Sequence, residues 1–157
     1  MIGRATIELV FLLVGVSVAL ALGIGGCGGG GSPLTKAQFI EQADAICKQA
    51  GAEQVALASH RKGEVVSGNF EAVTAVFVPP MEKELRRLGA LKPPGAEEGA
   101  VKAILKAIRR GVQDAKADYL DLFVKETDPF VEANELARKY GLKACAESSH
   151  QVIKPQR

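Results

Sequence analysis

The chain contains no tryptophan, two tyrosines and six phenylalanines. That scarcity speaks against the stacked aromatic platforms that hold single-stranded nucleic acid. A strong excess of either charge is also missing. The 20 basic and 18 acidic side chains leave a formal +2, which is no footprint for a nucleic-acid partner. No Cys-x-x-Cys occurs, so neither a redox motif nor a haem attachment site is written locally. The only histidines are His60 and His150. Glu147 and His150 have the spacing of half a carboxylate-bridged di-iron site, but the second Glu-x-x-His that such a site needs is missing. Ser148 and Ser149 adjoin His150, and sequence neighbours rarely supply triad geometry. The carboxylate pairs Glu97/Glu98 and Asp118/Asp121 have the spacing of a solvated helix face. The glycines at 28–31 lack the Lys-Ser/Thr of a phosphate loop. No stretch alternates polar and apolar residues at period two, so a sheet has little support. We therefore assign no catalytic residue, no metal ligand and no cofactor.

What the chain does have is a leader. Arg4 and the amino terminus precede residues 9–26, an uncharged run of 18 that ends at Cys27. A basic start, an apolar middle and small residues before a cut are the parts of a secretory signal. Ile24-Gly25-Gly26-Cys27 resembles the lipobox of bacterial lipoproteins. The resemblance implies cleavage before Cys27 and lipidation of its thiol, with the chain held on the extracytoplasmic face of a membrane. Gly28 to Gly31 then form a flexible leash. The same 18 residues also just reach the length of an uncleaved spanning helix, and a plain secreted signal is the third alternative. The expected organisation is signal peptide 1–26, tether 27–34, helical domain 35–146 and polar tail 147–157. Arg4 and Glu8 cancel, so the exported part keeps the +2.

Ala, Leu, Lys and Glu dominate the exported part, favouring helix. Thr35-Lys36-Ala37-Gln38 fits a capping box. Phe39, Ile40, Ala43, Ile46, Cys47 and Ala50 then form one helical stripe, which should fade near 59–63. Ser67-Gly68-Asn69 marks a turn. Phe70, Val73, Phe77, Met81, Leu85, Leu88 and Leu91 keep helical phase across Pro79-Pro80. Each proline removes a donor and crowds the carbonyl four residues back, so a kink or short break is expected there. Glu97 and Glu98 suit a helix start, followed by Val101, Ile104, Leu105, Ile108, Val112 and Ala115. Asp128-Pro129 predicts N-cap and N1 of a fourth helix, with Phe130, Ala133, Leu136, Ala137 and Tyr140 inward and Gly141 beyond its end. The expected fold is all-α: an up-and-down four-helix bundle, its second helix proline-kinked, after an N-terminal signal or anchor helix.

Cys47 lies on the first stripe and Cys145 shortly after the last. Two otherwise unmatched thiols in an oxidising compartment tend to pair, and a bridge there would clamp the two ends of the bundle. Free buried thiols and functional thiols are the alternatives. Residues 34–50 (LTKAQFIEQADAICKQA) and 128–146 (DPFVEANELARKYGLKACA), with a looser match at 78–94, resemble small exported bacterial proteins carrying an ADAIC…YGLKAC cysteine pair. The resemblance implies architecture and location and no reaction. Lys83, Arg86, Arg87, Lys102, Lys106, Arg109, Arg110 and Lys116 could make a basic strip along two helices, against ordinary surface charge interleaved with Glu82, Glu84 and Asp114. The expectation is a membrane-anchored, non-enzymatic lipoprotein of the cell envelope. Its partner would be an envelope protein, a cell-wall polymer or a small ligand. An envelope hydrolase is the alternative.

Overall fold

The computed structural model describes residues 32–124 and 128–148, with side chains of 118–124 and 148 left aside. The leader, Cys27 and the tail beyond 148 lie outside the described residues. Helices account for nearly all of what is described, and no strand occurs among the described residues.

The first helix, α1 (Lys36–His60), starts where its capping box dictates. Thr35 Oγ1 accepts from the Gln38 N–H at 3.3 Å, and Gln38 Oε1 accepts from the Thr35 N–H at 3.0 Å. A five-residue helix, α2 (Lys62–Val66), follows Arg61 directly. The turn at Gly68 has φ +74°, a conformation that glycine adopts without a Cβ penalty. Asn69 then caps α3 (Phe70–Ala90), its Oδ1 accepting from the Ala72 N–H at 3.0 Å.

The break expected at Pro79-Pro80 does not occur: α3 runs through both prolines. An interior proline costs roughly 3 kcal/mol. Val73, Val76, Phe77, Met81 and Leu88 are all buried on one core, and each buried large apolar side chain returns about 1.5–3 kcal/mol. Pro80 itself is among the most enclosed side chains. Packing on both sides of the prolines outweighs the local penalty.

A 3₁₀ turn at Gly95–Glu97 leads into α4 (Glu98–Val124). The fourth expected helix starts two residues later than its Asp-Pro signal. Asp128 Oδ1 accepts from the Phe130 N–H at 2.8 Å and closes a turn, and α5 runs Val131–Tyr140 with Phe130 as its N-cap. Gly141 ends it at φ +106°, with its own N–H and that of Leu142 donated to the Ala137 carbonyl. A Cβ at Gly141 would meet Ile40 Cδ1 at 3.3 Å. One more short helix, α6 (Lys143–Ser148), carries Cys145.

α1 packs on α3, α3 on α4, and α4 on α5, while α6 touches both α5 and α1. The described residues thus close into a ring of helices about one core, with α6 as the closing piece. Gly111 on α4 allows the tightest approach. A Cβ there would lie 2.8 Å from the Pro129 carbonyl oxygen and 2.5 Å from the Phe130 ring. Ion pairs span the helix seams: Lys83–Glu53 at 2.8 Å, Lys116–Glu82 at 2.8 Å, Arg110–Glu132 at 2.9 Å and Lys36–Glu97 at 3.2 Å.

Candidate functional site

Three polar side chains turn into the bundle at one level. Gln54 on α1 and Asn134 on α5 are 2% and 4% exposed. Glu84 on α3 joins them around a small cavity of about 20 Å³, completed by Met81, Ile108, Phe130 and Cys145. That volume suffices for one water molecule and falls far short of a drug-sized ligand pocket.

The cavity adjoins the cysteine pair. Cys47 Sγ and Cys145 Sγ lie at disulfide distance, 2.03 Å, with Cα atoms 5.0 Å apart. Cys47 is fully buried and Cys145 6% exposed. Cys47 is brought there by the α1 stripe. Cys145 is held by α6, which α1 anchors from one turn away. Asp44 Oδ1 accepts from the Ala144 N–H at 3.0 Å and the Cys145 N–H at 3.4 Å. Asp44 and Cys47 are three apart on α1, so they share a face. Asp44 thereby caps a helix a hundred residues away and aims its cysteine at Cys47.

A carboxylate oxygen of Glu84 lies within 4.8 Å of both sulfurs. The residue as a whole is only partly buried, yet its carboxyl ends beside two buried sulfurs. That placement, away from water, decides its chemistry. Burial pushes the carboxyl up to about 8, because the charged form loses hydration without a counter-charge. Among the described residues Glu84 makes no ion pair. Sequence pattern alone groups Glu84 with the surface charges Glu82 and Asp114. In fact it sits three residues after Met81 and four before Leu88, both buried, and so belongs to the inward stripe. Gln54 likewise falls seven after Cys47. That spacing was the available signal for both.

The anticipated basic strip resolves mostly into the alternative reading. Lys83, Lys102, Arg110 and Lys116 pair with Glu53, Glu98, Glu132 and Glu82, and Arg87 donates to Gln49 at 2.6 Å. Lys116 holds the Glu82 carboxyl below its ordinary range through that hydrogen bond. Glu97 is bound to Lys36, whose ammonium also lies 4.7 Å from the Tyr140 ring centre. Asp118, His150 and the side chain of Ser148 fall outside the described side chains, as does lipidation at Cys27. No helix among the described residues is long and apolar enough to cross a membrane.

Comparison with protein-family models, curated proteins and solved structures finds no match to the chain.

Proposed function

We propose that the protein is an extracytoplasmic lipoprotein of a bacterial envelope, tethered through Cys27, whose helical domain is a non-enzymatic binding module. Within that reading α1, α3, α4 and α5 form an up-and-down four-helix bundle that α6 closes. The observation that carries it is the pairing of two features. An 18-residue apolar leader ends at Ile24-Gly25-Gly26-Cys27, and the domain behind it holds its only two other cysteines at disulfide distance in a buried position. Such bridges persist outside the reducing cytosol, which is where the leader would deliver the chain. Val66 and Phe70 flank the Gly68 turn with their apolar side chains exposed, an accessible apolar contact for an envelope partner.

Intact mass spectrometry of the protein isolated from its native membrane tests the reading. The expected species begins at Cys27, carries the added mass of the lipid, and lacks the two hydrogens removed by the Cys47–Cys145 bond. An N-terminus still at Met1 overturns the lipoprotein assignment, with membrane retention then marking a spanning anchor. Free sulfhydryls at both remaining cysteines overturn the oxidising location.

A further inference from the structure

We infer that the dithiol form of this protein is a zinc site, with Cys47, Cys145 and Glu84 as ligands, and that disulfide formation abolishes it. The inference does not depend on the tether. It rests on a convergence that the sequence disperses over α1, α3 and α6: two sulfurs and one carboxylate oxygen, all mutually within 4.8 Å.

The donor set suits a borderline-soft ion. Zn²⁺ takes thiolate at about 2.3 Å and carboxylate at about 2.0–2.2 Å in tetrahedral array. Three protein ligands leave one position, and the neighbouring cavity, lined by Glu84 and Cys145 themselves, has room for a single water there. Gln54 lines the same space and offers an amide group to orient a bound water or the carboxylate. Glu84 makes no ion pair among the described residues, and a divalent ion held there would give its carboxylate a counter-charge.

The chemistry closes as follows. A phosphine reductant donates two electrons to the Cys47–Cys145 bond and takes an oxygen atom from water, becoming a phosphine oxide. The two hydrogens of that water complete two thiols. Zn²⁺ then displaces both thiol protons, and the Glu84 proton where it is held, into solvent. In the oxidised chain the sulfurs have no thiolate to offer, so metal occupancy follows the redox state of the pair. Asp44 holds the backbone of Ala144 and Cys145 through bonds that do not involve the sulfurs and that reduction does not break.

Equilibrium dialysis of the full chain in detergent, with Cys27→Ser to remove the competing third thiol, tests this against Zn²⁺ alone. One zinc per phosphine-reduced chain and none per oxidised chain is expected. Co²⁺ in its place should give thiolate-to-metal absorption in the near ultraviolet. Glu84→Gln, close in shape, should weaken zinc binding by roughly tenfold or more while helical circular dichroism is retained. A reduced chain that takes up no zinc, folded or not, overturns the proposal. So does equal uptake by the oxidised chain, or an affinity that Glu84→Gln leaves unchanged.

Discussion

Glu84 stands apart from the other charged side chains of the bundle. Its neighbours Glu82 and Lys83 reach partners across the helix seams, whereas its own carboxyl is carried inward by helical phase. The other cavity-lining residues are uncharged, and the bonded cysteines do not titrate, so this group controls the local protonation. In the unfolded chain it releases its proton near 4.5, and in the fold near 8. Below the first value both states are protonated and stability is complete. Between the two the native state binds more proton, so stability falls as pH rises, by about 1.4 kcal/mol per unit of difference at most. Denaturant midpoints of the oxidised protein should therefore drop between about pH 5 and about pH 8 more steeply than those of Glu84→Gln. The variant should be the more stable of the two at the alkaline end. Parallel pH dependences in the two proteins would contradict the buried placement.

Short helices depend on what holds their ends. α6 has six residues, too few to persist on helix propensity alone, and its first amides are satisfied by the Asp44 carboxylate from α1. Replacement of an N-cap acceptor by alanine costs about 0.5–2 kcal/mol. Asp44→Ala is accordingly expected to destabilise the protein by about 1 kcal/mol, and Asp44→Asn, which keeps an acceptor oxygen, by less. Hydrogen exchange reads the effect locally, as faster exchange of the Ala144 and Cys145 amides in the alanine variant. Unchanged protection there would show that the bridge alone holds α6. In α3 the balance is reversed: local chemistry argues for a break at Pro79-Pro80, and shared burial on both sides keeps one helix.

The ring of helices is closed by a crosslink that joins positions 98 apart in sequence. Closing a loop of that length restricts the unfolded chain by about 4–5 kcal/mol in loop-closure entropy. Reduction in the presence of a metal chelator should lower unfolding free energy by about that amount, read as a shift in urea midpoint with the helical signal at zero urea largely kept. An unshifted midpoint would show that packing of α1 against α6 already supplies the closure. The surface adds little to this balance, since exposed ion pairs such as Lys102–Glu98 are screened by water and salt.

Helix type, the Thr35 cap, the Gly68 turn, the Gly141 stop and the inward faces of α1 and α4 were legible from local pattern, because each is set by residues within one or two turns of itself. The reach of the cysteine pair was legible too, from the stripe that holds Cys47 and from its partner's place near the last helix. Neither α2 nor α6 announces itself: both are too short to show periodicity, and α6 takes its cap from a carboxylate a hundred residues upstream. The continuity of α3 and the meeting of Gln54, Glu84, Asn134 and the two sulfurs belong to packing. A side chain's distance to another helix depends on how the helices dock, and no local rule carries that information across a hundred residues of chain.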